Sequence, residues 1–183
     1  KNVSNFKEVK FKYLSNLYKI SPQNLSIKKP IKFSYKLDSN QLDLRALGIY
    51  KWNQKGNTWD YQITTERNKM YIISNINELG IFTLLQDTIP PEITPVIPKN
   101  LKSFKYKEIK TIYCNLNDDL SGISQNEETL KINLNGSFLF PEYQPFTKKL
   151  SYTLKNHLKI GNHVINYYVS DRLENISIKK INF

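Results

Sequence analysis

Apolar and polar positions alternate with a period of two along most of the chain. In "TWDYQI", Trp59, Tyr61 and Ile63 share one face while Asp60 and Gln62 take the other, which predicts a half-buried strand. The preceding run "GIYKWN" is joined to it through Gln54, Lys55, Gly56 and Asn57, a polar stretch with a glycine where a hairpin needs positive φ. The two runs are therefore predicted to form a hairpin. Similar runs, "IKFSYKL", "KMYIISNI" and "GIFTLLQ", are rich in β-branched and aromatic residues, which suit a pleated, half-buried surface. Sustained apolar spacing at the helical period is hard to find.

The same grammar returns in the second half. Ile112, Cys114 and Leu116 alternate in "TIYCNLND", so Cys114 reads as a small core hydrophobe. As the single cysteine it has no partner for a disulfide within the chain. In "TLKINLNGSFLF", Leu130, Ile132 and Leu134 share a face, Asn135-Gly136 is the strongest two-residue hairpin signal, and Phe138 and Phe140 follow. "KLSYTL", "HVINYYVSD" and "ISIKKINF" complete about six or seven strands in roughly 95 residues, the size of an immunoglobulin-like sandwich.

Between the halves lies "LLQDTIPPEITPVIPK", which holds Pro90, Pro91, Pro95 and Pro98, four of the eight prolines of the chain. Proline cannot donate to a ladder and restricts the residue before it to extended conformations. The stretch is expected to be a stiff connector that runs directly into the first strand of a second module. With 183 residues and 39% hydrophobic content, the expected fold is all-β: two tandem immunoglobulin-like β-sandwich domains, 1–87 and 88–183, joined by a Pro-rich linker. No apolar run is long enough for a transmembrane helix, and the first residues lack a signal peptide's apolar stretch. The chain opens at Lys1 rather than Met, so a processed product or a piece of a longer protein is expected.

Charge changes this picture only slightly. The net charge is +11, with 14 basic and 6 acidic residues from Lys1 to Gln86 (+8) and 13 and 10 from Asp87 onward (+3). Any electrostatic docking surface is thus expected on the first module. Only Arg45, Arg67 and Arg172 are arginines, and arginine is the residue that grips phosphate bidentately and reads bases, so specific nucleic-acid recognition is not expected. The excess of Lys, Asn and Ile has the look of AT-rich codon drift, and alternating lysines such as Lys32 and Lys36 fit the solvated face of a strand.

Taken together, "DTIPPEITPVIP", "NLNDDLSGIS", "LKINLNG" and "KIGNHVINYYVSDRLENIS" resemble the bacterial immunoglobulin-like repeats of surface and envelope proteins. Those repeats open on D-x-x-PP-x-I, continue through D-x-x-SGI and an NG or DG hairpin, and close in D-x-x-x-N. The resemblance covers residues 87–183, with Glu174 where glycine is common. More loosely, "LGIYKWNQKGNTWDYQ" and "NELGIFTLLQDTIPP" resemble the β-sandwich preceding such repeats in some exported proteins, including cell-wall peptidases of the lysostaphin (LytM) type. Peptidases of that type hold zinc with H-x-x-x-D and H-x-H segments. This chain has only His157 and His163, so their catalytic domain is not within it.

Three sets of residues are candidates for chemistry. Asp118, Asp119 and Ser121 with Asp171 and Asn175 offer carboxylate and amide oxygens from loops at one end of a sandwich, as a calcium site requires, although Asp and Asn also close turns by bonding their own backbone. No cofactor is expected unless these loops take calcium. Tyr50, Trp52, Trp59 and Tyr61 supply flat rings for stacking on a sugar, and Lys28, Lys29 and Lys32 supply charge for a wall glycan. Trp52 and Trp59 need not share a surface, because alternate strand residues face opposite ways. Zinc is not expected from two histidines and one cysteine. No Gly-rich phosphate loop or nucleophile motif is present, and Glu127-Glu128 sit side by side on a turn, so an enzyme is not expected.

The expected role is a spacer or docking pair in an exported or surface-attached bacterial protein, extracellular, periplasmic or at the cell surface. Expected partners are other domains of the same polypeptide or cell-surface proteins. The alternatives are a cell-wall glycan-binding module, or the accessory segment of a wall metallopeptidase.

Overall fold

A computed structural model describes residues 12–13, 15–23, 25–37, 45–98 and 109–183. These residues form an all-β protein: sixteen strands, with one 3-10 turn at Glu127–Thr129 as the single helical element among them. Every strand pairing is antiparallel. The chain divides into two compact units, Lys1–Thr88 and Ile89–Phe183.

The first unit contains β1 (Lys12–Tyr13), β2 (Tyr18–Lys19), β3 (Ser26–Lys36), β4 (Leu47–Asn53), β5 (Thr58–Gln62), β6 (Thr64–Arg67), β7 (Tyr71–Glu78) and β8 (Ile81–Gln86). One sheet has the order β1-β8-β4-β5 with β2 also on β8, and the other has β3-β7-β6. Leu47 and Ile49 of β4 and Phe82 and Leu84 of β8 meet Ile72 and Ile76 of β7 in one buried cluster, with Phe33 and Tyr35 of β3 packed against it. The core therefore lies between the two sheets. Burying each such aliphatic side chain contributes about 1.5 to 3 kcal/mol. Arg67 ties the sheets together: its guanidinium donates to the carbonyls of Arg45 (3.0 Å) and Leu47 (2.9 Å), which spends one of the three arginines on backbone.

The hairpin of β4 and β5 forms, but its strained position differs from expectation. Asn57, with φ of 51°, takes the left-handed conformation, and Gly56 does not. Asn53 Oδ1 accepts from the N–H groups of Lys55 and Gly56, so the turn is closed by an asparagine side chain.

The second unit contains β9 (Glu92–Ile97), β10 (Thr111–Asn117), β11 (Leu130–Leu134), β12 (Ser137–Leu139), β13 (Glu142–Gln144), β14 (Lys149–Thr153), β15 (Val164–Ser170) and β16 (Ile176–Asn182). Its sheets are β13-β14-β10-β9 and β12-β11-β15-β16. Ile112, Cys114 and Leu116 of β10 and Leu150 of β14 share one core with Leu130 and Ile132 of β11 and Ile165, Tyr167 and Val169 of β15. Two four-stranded layers thus enclose that core. At the Asn135-Gly136 turn both residues have positive φ, 52° and 89°, the primed geometry that matches strand twist. Beyond the turn, Leu139 lies opposite buried Ile132 and packs on the core, while Phe138 and Phe140 are exposed.

The proline stretch is only partly a connector. Asp87 to Pro91 lie outside the strands, whereas Pro95 lies inside β9, paired with Cys114 beside a bulge in the β9–β10 ladder. β9 ends its sheet, where a missing N–H costs the ladder nothing, and this is where a strand tolerates proline.

Candidate functional site

The acidic loops of the second unit follow β10 and β15. Asp118 Oδ1 accepts from the N–H groups of Leu120 (3.2 Å) and Gly122 (2.6 Å), and Gly122 supplies the positive φ of 76° that turns the chain. Asp171 Oδ1 accepts from Leu173 N–H (2.8 Å) and Asn175 N–H (2.9 Å), and its Oδ2 accepts from Asn175 Nδ2 (2.7 Å). The two loops are joined by backbone, with Arg172 N–H donating to Gly122 O and an isolated bridge between Ile123 and Asp171. One carboxylate oxygen of Asp118 and one of Asp171 consequently lie within 4.8 Å of each other. Of the four carboxylate and amide residues in the expected calcium set, Asp118, Asp119, Asp171 and Asn175, the first and third converge. Asp119 is exposed and accepts from Asn117 Nδ2 (2.9 Å), and Asn175 spends its side-chain amide on Asp171. Both converging carboxylates organise the backbone N–H groups of their own turns, which is what a D-x-x-S-G or D-x-x-x-N segment needs in order to close.

The aromatic set of the first unit is brought together more closely than expected. A four-residue turn places Trp52 directly opposite Trp59 and Tyr50 opposite Tyr61, so all four rings share one face of the hairpin. Trp52 and Trp59 meet edge to face at 5.2 Å. Trp59 is only 4% exposed and Tyr50 is fully buried, leaving Trp52 and Tyr61 half-buried. This face is turned away from the core, because Leu47 and Ile49 point to the core from the alternate positions of β4. Lys32 lies on the outer face of the other sheet, since its neighbour Phe33 points inward; its ammonium pairs with Glu66 at 3.3 Å across β7. Lys28 and Lys29 are exposed on the same strand, near the irregular pairing between Ser26 and Ile31. Tryptophans and Lys32 thus occupy opposite outer faces of one sandwich, and a single glycan cannot stack on the first while pairing with the second.

The histidines are separate. His163 is buried and stacks on Phe183 at 5.4 Å; its Nε2 donates to Lys159 O (2.7 Å), which leaves Nδ1 to accept from Asn135 Nδ2 (2.8 Å). His157 is exposed. Cys114 lies in the core opposite Leu150, where burial raises its thiol to about 12. No group of metal-capable side chains among the described residues includes either histidine or Cys114.

The chain matches no protein-family model and no curated protein.

A further feature escaped the sequence reading. Beside the crossing from β12 to β13, a cleft of about 510 Å³ is lined by Glu127, Leu130, Phe140, Pro141, Glu142 and Tyr143. Its signal was present in "FPEYQP", where prolines bracket a strand of three residues and Phe140 falls between the two sheets.

Proposed function

We propose that the chain is a non-catalytic pair of immunoglobulin-like β-sandwich modules that serves as a spacer or docking arm of an exported or surface-attached bacterial protein. The observation that carries this reading is the pair of self-contained cores on either side of Asp87 to Pro91, five residues that belong to no strand. Those residues act as a short proline-bearing linker. The Ser177 hydroxyl donates to Pro91 O, so the chain is held to the second unit from its first residues onward. The D-x-x-PP, D-x-x-SGI and D-x-x-x-N segments support the comparison with bacterial surface repeats, in which Glu174 takes a glycine position by adopting a positive φ of 70°. Other domains of the same polypeptide or cell-surface proteins are the partners that such an arm would serve.

Separate fragments 1–88 and 89–183 should each melt cooperatively with β-type circular dichroism. If both are unfolded alone, the two-module reading fails. In sedimentation with whole peptidoglycan at physiological salt, the intact chain should stay in the supernatant. Retention that disappears when Lys28, Lys29 and Lys32 become Gln would replace the spacer by a wall-glycan module, the reading favoured by the exposure of those three lysines on one strand.

A further inference from the structure

The edge of the second unit where the chain passes from one sheet to the other carries a combination found nowhere else among the described residues. β12 and β13 are both end strands, and they are consecutive, so the crossing at Phe140-Pro141 lies over the open side of the sandwich. The cleft there has an apolar floor from Leu130, which belongs to the core, and Tyr143, which packs against it. Phe140 stands at its side with 86% of its surface exposed, and its neighbours in sequence Phe138 and Phe146 are 60% and 100% exposed. Three phenylalanines on one edge are unusual in a chain whose other phenylalanines among the described residues, Phe33, Phe82 and Phe183, are buried or half-buried.

Two acidic residues, Glu127 and Glu142, line this cleft. Glu127 is set by the 3-10 turn, whose cap is Asn126: its Oδ1 accepts from Glu128 N–H at 3.0 Å. Glu142 is set by β13, opposite Ser151. Neither is in an ion pair with a described residue. The cation nearest in register, Lys149, is held over the Tyr113 ring at 4.2 Å, and Lys148 donates to Asn117 Oδ1. In a chain of net charge +11, a cleft lined by two acidic residues and no basic one is a local reversal of sign, with Arg172 the cation that acts on the Tyr143 hydroxyl beside it.

We infer that this cleft binds a basic side chain, lysine above all, presented by a partner polypeptide. A lysine stem lies along apolar and aromatic surface while its ammonium stays with carboxylates and ring faces, and that is the surface offered here. The volume suits one such side chain with its flanking backbone. Phe140 at the cleft, with Phe138 and Phe146 exposed farther along the same edge, extends the apolar surface beyond what a free amine can cover, which selects a polypeptide as the source. Pro141 and Pro145 lack N–H groups on either side of the three-residue β13, so the partner does not add a long strand there; recognition falls to the inserted side chain. The inference concerns the second unit alone and holds whether or not the chain is a spacer.

The test is a titration of the isotope-labelled intact chain, followed by amide resonances, with a capped pentapeptide carrying one central lysine between two phenylalanines. Matched peptides with norleucine or glutamine at the centre and the diamine cadaverine serve as comparisons. Saturable shifts at Glu127, Leu130, Phe140, Glu142 and Tyr143 are expected for the lysine peptide at millimolar concentration, with binding about tenfold weaker for norleucine and glutamine, as loss of a charge-assisted contact of about 1 to 2 kcal/mol implies. The E127Q/E142Q variant should melt like the parent and lose the lysine preference. Equal binding of the norleucine peptide, no saturable shifts, or a variant that keeps the preference would each overturn the inference. Tighter binding of cadaverine than of the peptide would overturn its polypeptide source.

Discussion

β8 of the first unit and β15 of the second both lie inside a sheet, yet their burial patterns differ. Phe82, Thr83, Leu84 and Leu85 are buried in succession along β8, whereas buried Ile165, Tyr167 and Val169 alternate with half-buried Asn166 and Tyr168 along β15. The difference is one of covering. In the first unit the face carrying Thr83, Leu85 and Tyr50 is as inaccessible as the face carrying Phe82 and Leu84. In the second unit the outer face of the β12-β11-β15-β16 sheet is open, with Ile178 opposite Tyr168 and 63% exposed. A strand covered twice reads as a continuous apolar run; a strand covered once reads as an alternation.

This comparison sets the largest expected effects. Leu84→Ala and Leu85→Ala, on opposite faces of β8, should each cost about 2 to 5 kcal/mol of first-unit stability, because each removes a fully buried side chain. Ile178→Thr should stay within about 0.5 kcal/mol. Urea denaturation resolved by unit checks this. A Leu85→Ala cost below about 1 kcal/mol would mean that the second face of β8 is open and that the two strands are alike.

How much of this was legible follows from the same logic. The alternating strands, the Asn-Gly turn and the core position of Cys114 were read directly, because period two survives wherever one face is solvated. β6 (Thr64–Arg67) and β13 (Glu142–Gln144) were missed: "TTER" and "EYQ" are short and polar and have no apolar face to count. The pairing of Trp52 with Trp59 was legible in principle, since a four-residue turn at Gln54 to Asn57 fixes which residues lie opposite. Within-strand alternation alone does not carry it, because the face shared by Trp52 and Trp59 is set by the cross-strand register. The convergence of Asp118 with Asp171 depends on backbone bonds between loops about fifty residues apart, and no local pattern encodes that.

The units also differ in how they secure their loops. The first uses the Arg67 guanidinium on two carbonyls; the second uses the Asp171 carboxylate on two backbone N–H groups and one amide. Asp171→Ala should therefore cost the second unit about 2 to 3 kcal/mol, since buried donors lose a charged acceptor. Asp171→Asn should recover about half, because it retains an oxygen at Oδ1. The loss should be the same in chelator and in millimolar calcium if the carboxylate serves its turn. A loss seen only in calcium would assign it to an ion.

Alkaline pH should separate the two cores. Burial raises the Cys114 thiol from 9.0 to about 12, and it also raises the Tyr167 hydroxyl, with the Cys114 thiolate adding to that shift. Both groups are neutral when protonated, so their contribution is complete below the unfolded values and is lost as pH rises towards the folded ones. The second unit should lose about 1.4 kcal/mol per pH unit from Cys114 between about 9 and 12. Cys114→Ala should flatten that slope, whatever it does to stability at neutral pH. The same slope in both units would remove the distinction.

The smallest effect tests the closing turn of the second unit against the hairpin turn of the first. Asn57 and Glu174 are both non-glycine residues at positive φ, 51° and 70°. Asparagine tolerates that region because its short side chain bonds locally; glutamate has no such compensation. Glu174 N–H donates weakly to Asp171 O at 3.4 Å, and its side chain is exposed, so little is lost by removing it. Glu174→Gly should raise the stability of the second unit by about 0.5 to 1 kcal/mol, the strain of a left-handed residue outweighing the added flexibility of the unfolded chain. Asn57→Gly should change the first unit by only a few tenths of a kcal/mol. Thermal melts of the two variants decide between strain and tolerance: if Glu174→Gly destabilises, the glutamate holds its turn by a contact that outweighs its backbone strain.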